Sequence, residues 1–306
     1  MRIAAMAAGA VGGYFGARMA AAGHDVHFIA RGNLLHAIRR NGLKVESTFG
    51  NLHIPNANAT SDPKDVGPVD IVLFAVKLWD TETAAEMARP LVDPSTRVIT
   101  FQNGVDSVER IAPILGADTT VGGSAYIASV MKEPGVVSHT SQFARLVCGR
   151  VDGKPDAQLD AFADAAKKAD IDITVSPAMD VERWQKFTFL VGLSGATAAM
   201  RQPLGPILAD PDTREFLHNL MREVVAVGRA QGVAIAANYA DDRITFAKTA
   251  PATMKASLAH DLERGNRLEV DWLAGKVSAL GREFSVPTPA NDAVYALLKL
   301  HRMGRQ

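Results

Sequence analysis

The chain has 306 residues, 47% hydrophobic and 22% charged, which is enough apolar mass for more than one core and too much for a disordered chain. Lys plus Arg and Asp plus Glu stand at 33 each, so the formal net charge is zero and no overall basic field favours nucleic acid. The one cysteine, Cys148, leaves no internal disulfide, which fits a reducing compartment such as the cytoplasm, and no window reads as a signal peptide or membrane span.

Residues 3–6 form a short apolar run, 7–13 are small and glycine-rich, 14–22 favour helix up to Gly23, and 25–29 are apolar again at Val26 and Phe28. This is a βαβ unit. A second helix is expected over 33–41, ended by Gly42, and 43–54 alternates only weakly, as a small excursion would. The run DIVLFAV at 70–76 is continuously apolar, as a strand buried on both faces requires. A helix over 81–91, a strand over 96–101 and a helix over 105–115 follow. That alternation specifies an open, doubly wound, Rossmann-like α/β sheet. From 119 to 148 the pattern turns β-rich around Glu133-Pro134-Gly135, predicting antiparallel strands at the far edge of the sheet. A helix over 158–169 and a strand over 171–175 complete this part. Beyond Pro177 the periodicity is helical, over 181–200, 212–231, 238–246, 252–264, 268–280 and 290–303. The expected division is a Rossmann-like domain over 1–177 and an all-helical domain over 178–306.

The turn Ala7-Ala8-Gly9-Ala10-Val11-Gly12 follows a strand and opens a helix that also contains Gly16. Backbone N–H groups there can hold a pyrophosphate against the positive helix end. Ala7 stands where the G-x-G-x-x-G fingerprint has its first glycine, and a turn that only packs strand on helix is the simpler alternative. After the second strand, Ile29-Ala30-Arg31-Gly32-Asn33 offers an arginine and no carboxylate until Glu46. Arg31 therefore points to the 2′-phosphate of NADPH, with a solvated loop arginine as the alternative. His24 and His27 have no companion ligands at metal spacing, and no nucleophile elbow is present, so neither a metal centre nor a Ser-His-Asp triad is expected. Trp184 and Trp272 read as core more readily than as ligand contacts.

The segments GAVGGYFGARMAAAGHDVHFIARG, AVKLWDT around Lys77, TFQNGVDSVE around Asn103, WQKF around Lys186 and SLAHDLERGNRLEVDWLAG over 257–275 together resemble the ketopantoate reductase (2-dehydropantoate 2-reductase) family, nearly end to end. The resemblance implies an NADPH-binding Rossmann-like domain, a helical domain for substrate binding and homodimer formation, and an active site in the cleft between them. It implies Lys186 as the general acid and Glu269 as a second catalytic residue near the nicotinamide. Asn103 would contact cofactor and substrate, Lys77 would line the cofactor cleft, and Ile127, within 122–128, would add a cofactor contact. Ser257 would bind the substrate carboxylate, with Asp261 one turn further on. Taken without the family, Lys186 is one of many helix-face lysines, Asn103-Gly104 is a turn, and Asn266 with Glu269 three residues later is a capping box.

Where family members carry substrate-binding asparagines one and two turns after the lysine, this chain has Leu190 and Ser194, and a third asparagine position, near Leu204, also differs. Those replacements alter the polarity of the pocket and the choice of 2-oxo acid. The implied function is NADPH-dependent reduction of 2-dehydropantoate to (R)-pantoate in pantothenate biosynthesis. Two alternatives stay open: a same-fold NADPH-dependent reductase of another 2-oxo acid, and a nonenzymatic NADP(H)-binding sensor, which would need neither Lys186 nor Glu269. The partner is a small molecule, with no nucleic acid or membrane expected.

Overall fold

Along β1 (Arg2–Met6), Ile3 and Ala5 enter one apolar core while Ala4 and Met6 enter another, because successive strand side chains leave opposite faces. The chain is described by a computed structural model over residues 1–305, and it divides into two compact units, Met1–Met179 and Asp180–Gln306. In the first unit β1 is followed by β2 (Asp25–Ile29), β3 (Leu43–Ser47), β4 (Leu52–Ile54), β5 (Asn58–Thr60), β6 (Ile71–Phe74), β7 (Arg97–Thr100), β8 (Thr120–Glu133), β9 (Val136–Gly149) and β10 (Asp172–Val175). Its helices are α1 (Ala10–Ala21), α2 (Gly32–Asn41), α3 (Thr81–Ala88), α4 (Ser107–Leu115) and α5 (Ala157–Lys168).

Parallel pairing gives the spatial order β5-β2-β1-β6-β7-β8. Among these strands that is third, second, first, fourth, fifth, sixth, a doubly wound Rossmann-like sheet whose order reverses between β1 and β6. Both faces are covered, which explains the unbroken apolar run of β6. Ile71 and Leu73 pack in the core that contains Tyr14 and Phe15 of α1, whereas Val72 and Phe74 pack with Ala84 and Ala85 of α3 and Ile111 of α4.

The β-rich stretch forms two antiparallel strands of 14 residues each, β8 and β9. They do not close the sheet. The first half of β9 pairs in parallel with β3, the second half pairs with β10, and β3 carries β4 antiparallel. Residues 43–54 are thus part of the main sheet, with Leu43 and Val45 buried and Lys44 and Glu46 exposed. The sheet curls until α1 touches β1, β2, β3, β4, β8 and β9, and Gly12 through Met19 are buried inside that curl. Gly12 has no room for a side chain: a Cβ there would lie 2.2 Å from the Ala7 carbonyl oxygen. Cys148 is buried in β9.

The second unit contains α6 (Met179–Met200), α7 (Leu204–Ala209), α8 (Pro211–Ala230), α9 (Tyr239–Ala247), α10 (Ser257–Arg264), α11 (Ala274–Glu283) and α12 (Pro289–Lys299). No described helix is long and apolar enough to cross a membrane. Two helices are shorter than their sequence periodicity predicts. α10 starts only at Ser257, and residues 268–273 form a 3-10 turn (Val270–Trp272) ending at Leu273, whose φ of −104° and ψ of −103° delay α11 to Ala274. α6 and α8 pack closely through glycine. A Cβ on Gly192 would come within 2.6 Å of Met221, and one on Gly228 within 2.7 Å of the Trp184 ring, which makes Trp184 a core residue.

A buried carboxylate fixes α12 to α8. Glu223 accepts hydrogen bonds from the Ala290 and Asn291 backbone N–H groups at 2.7 and 2.9 Å, and from Asn291 Nδ2 at 2.7 Å. Its charge faces the positive end of α12 and satisfies donors that the helix itself leaves open. Glu223→Ala is expected to lower the unfolding free energy by about 3 kcal/mol, since it strands those donors in the core. Urea unfolding followed by circular dichroism measures this, and a loss under about 1 kcal/mol would show the carboxylate to be dispensable.

Candidate active site

The carboxyl ends of the parallel strands share one edge of the first unit, and the segments with predicted cofactor roles leave from it. Ala7, Ala8, Gly9, Ala10, Val11 and Gly12 lead from β1 into α1. Gly9 is the N-cap, no side chain caps the helix, and its first turn holds no acidic residue. The free N–H groups therefore present an uncompensated positive end. A Cβ on Gly9 would meet nothing within 4 Å, so the space above this helix end is open. Arg31 follows β2 as the N-cap of α2, whose first turn also lacks acid. Its guanidinium is exposed and 3.7 Å from Asp80, a surface pair of small energy.

Lys77 follows β6, with Nζ 5.6 Å from the centre of the Trp79 ring. Asn103, half-buried, follows β7. Ile127, also half-buried, lies on β8 beyond Gly122, the last residue of that strand paired with β7. The loops carrying Lys77 and Asn103 are tied together by Gln102, to which sequence reasoning gave no role. Its Nε2 donates to the Val76 carbonyl at 3.0 Å and to Thr81 Oγ1 at 2.9 Å, and its Oε1 accepts from Thr100 Oγ1 at 3.1 Å. Thr81 in turn donates to the Leu78 carbonyl at 2.9 Å. The available signal was a polar residue directly after a buried strand and directly before Asn103.

In the second unit, Lys186, Leu190 and Ser194 follow one another at four-residue spacing along α6. Lys186 is half-buried, and burial pushes its pKa down from 10.5 to about 8, against the opposing pull of the Glu269 carboxylate. Glu269 is buried and precedes the 3-10 turn without capping it. The capping box read from Asn266 and Glu269 does not form. Asn266 instead donates through its backbone N–H and Nδ2 to Asp261, at 2.8 and 3.0 Å, closing the end of α10 at Gly265.

Leu190 is half-buried, and Ser194 is buried, 1% exposed, its Oγ without a hydrogen-bond partner among the described residues. Ser257 is exposed as the first residue of α10, where the Ala256 N–H reaches Thr197 Oγ1 at 3.4 Å. Thr197 is about 16 Å along α6 from Lys186 at the rise of an α-helix. Lys186 and Glu269 are thus brought together, Leu190 is one turn away, and Ser257 stands further along. A desolvated ammonium beside a buried carboxylate, mostly protonated at neutral pH, is equipped to donate a proton to a developing oxyanion.

Comparison with known proteins places this arrangement in a family. The description "Ketopantoate reductase PanE/ApbA" matches residues 3–153, and its C-terminal counterpart matches residues 178–302. The 2-dehydropantoate 2-reductase of Mesorhizobium japonicum is 30% identical, over 98% of this chain and 97% of its own length. An uncharacterized oxidoreductase of Bacillus subtilis, YkpB, is 27% identical over 98% and 99%. The crystal structure of 2-dehydropantoate 2-reductase from Geobacter metallireducens superposes with a TM-score of 0.91 at 32% identity, covering 98% of this chain and 99% of that one. With both halves matched and the relatives aligned over nearly their full length, this chain belongs to the ketopantoate reductase family of oxidoreductases.

Proposed function

We propose that this chain reduces 2-dehydropantoate to (R)-pantoate with NADPH, the N-terminal unit holding the cofactor and the C-terminal unit supplying the substrate-binding side chains. The observation that carries the reading is the Lys186–Glu269 pair, an ammonium with its pKa lowered to about 8 and a buried carboxylate beside it. Relatives named for this reaction support it. The residues present fit a dinucleotide. The open N-terminus of α1 above Gly9 suits a pyrophosphate, and Arg31 at the N-terminus of α2 suits a 2′-phosphate. Asn103, Lys77 and Ile127 would complete the cofactor contacts at the same sheet edge.

When bound, NADPH supplies a hydride to the carbonyl carbon. Lys186 Nζ donates a hydrogen bond to the ketone oxygen, stabilises the charge that grows there, and gives up its proton as the alcohol forms. Glu269 offsets part of the desolvation penalty and keeps the lysine charged at neutral pH. The family resemblance gives the substrate carboxylate to Ser257, at the exposed start of α10 and further along α6 from Lys186. A second reading, reduction of a different 2-oxo acid, is favoured by Leu190 and by the buried hydroxyl of Ser194, which offer an approaching substrate no amide donors. A sensor without catalysis would have no use for a lysine held in this state.

Lys186→Ala is expected to lower kcat for NADPH oxidation with ketopantoate on the order of 10² to 10⁴ while leaving NADPH affinity nearly unchanged. Near-normal kcat at saturating substrates would remove Lys186 as the acid. The acid is protonated below its pKa, so kcat of the native chain should fall as pH rises through about 8. Glu269 raises the pKa of Lys186, so Glu269→Gln should lower kcat and shift that alkaline limb to lower pH; an unmoved limb would separate Glu269 from the lysine. Arg31→Ala should weaken NADPH binding by about 1.5 to 3 kcal/mol and leave NADH nearly untouched, as titration by fluorescence would report. Equal losses for both cofactors would make Arg31 structural.

A further inference from the structure

On α9, Arg243 is a half-buried cation that makes no ion pair with a carboxylate among the described residues. Its guanidinium carbon lies 4.8 Å from the centre of the Tyr239 ring and 5.1 Å from that of Phe246, and its buried Nε has no hydrogen-bond partner among the described residues. Asp242 directly precedes it but makes no ion pair with it among the described residues, and Asp241, one residue further back, lies 2.8 Å from His218 of α8. Stacking on two aromatic faces orients the guanidinium and lowers its entropy without using its N–H fork. An arginine placed only to hold helices together would spend that fork on a carboxylate or carbonyl, as Arg110 does on Glu82 and Leu78.

The same two rings locate the guanidinium. Phe246 meets Phe189 of α6 edge-on, ring centres 5.3 Å apart. Tyr239 has its pKa raised by burial, against the opposing pull of Arg243, with the carboxylates of Glu182 of α6 and Asp242 adding to the rise. Glu182 and Phe189 flank Lys186 by four and three residues on one face of α6, and Tyr239 and Phe246 flank Arg243 by four and three on α9. With Phe246 against Phe189, and Arg243 one helical turn from that contact, α9 meets the stretch of α6 that carries Lys186. One turn on, Leu190 contributes no donor, so polar recognition at this end falls to Arg243.

We infer that Arg243 is a specificity-determining residue that binds a second acidic group of the substrate, so that the chain prefers a 2-oxo acid carrying a carboxylate at its far end as well as the one beside the ketone. A planar guanidinium matches a carboxylate with two parallel hydrogen bonds, whereas a branched, uncharged tail would leave it unpaired. This develops the second reading above, reduction of a 2-oxo acid other than ketopantoate, and rests on it.

The test compares 2-oxoglutarate, ketopantoate and phenylpyruvate as substrates for NADPH oxidation, with the native chain, R243Q and R243K. The native chain should show its highest kcat/KM with 2-oxoglutarate. In R243Q the ratio of that value to the one for ketopantoate should fall roughly ten- to hundredfold, through KM rather than kcat, with partial recovery in R243K. Native preference for ketopantoate or phenylpyruvate, or an unchanged ratio in R243Q, overturns the inference. Calorimetric titration with 2-hydroxyglutarate gives a readout independent of turnover, and R243Q should bind it correspondingly more weakly. If no 2-oxo acid is reduced, the reductase reading fails and the titration alone decides Arg243: weaker binding in R243Q sustains the anion site, and equal binding ends it.

Discussion

Helix α1 lies so close to the sheet that three of its positions tolerate little beyond a hydrogen. At Gly12 the obstacle is the Ala7 carbonyl, at Gly16 the Phe28 ring 2.7 Å from where a Cβ would be, and at Gly13 the Val137 side chain at 3.1 Å. These contacts come from different parts of the curled sheet: the β1 turn, β2, and β9. A bulkier helix would hold the curl open, and β3 would lose its pairing with β9. The same closeness brings the uncapped start of α1 down onto the carboxyl edge, where strand order reverses and a ligand can approach backbone N–H groups directly. Ala7 stands in place of a glycine in that turn, and the closest approach of helix to turn is made at residue 12.

Glycine has a parallel use in the helical unit, with a different outcome. Gly192 and Gly228 let α6 and α8 interdigitate with Met221 and Trp184, which fixes the long helix that carries Lys186. A lysine on a mobile, solvated helix would keep its ordinary pKa. Held in place, it is partly desolvated, and the loss is moderated by Glu269, which the 3-10 turn brings in from eighty residues further along the chain. Burial and the carboxylate act in opposite directions, and burial wins.

Buried polar groups sort into two kinds. Glu223 and Gln102 have partners at hydrogen-bond distance, and each joins segments distant in sequence. Arg243 and Ser194 retain polar atoms without protein partners among the described residues. The first kind accounts for structure. The second, on or beside the face of α6 that carries Lys186, is where a ligand has most to add, since an unsatisfied donor is costly until something accepts from it.

Local pattern determined much of this protein. Continuous apolar runs marked the buried strands, the glycine turn marked the entry to α1, and period 3.6 marked most of the helices beyond Pro177. The short motifs also carried the family and the positions of Lys77, Asn103, Lys186 and Glu269. What the sequence left open depended on contacts between distant residues. β5 has only three residues and no apolar run, yet it pairs with β2, and β3 joins the main sheet through β9, some ninety residues away. The Asn266 and Glu269 spacing fits a capping box, but Asp261 captures the asparagine and leaves the glutamate to face Lys186. The pKa of that lysine, the partners that Gln102 clamps and the contact of α9 with α6 have no local signature. Each is set by neighbours that only the folded chain brings within a few ångströms, and electrostatic and hydrogen-bond energies fall too steeply with distance to be read from order along the chain.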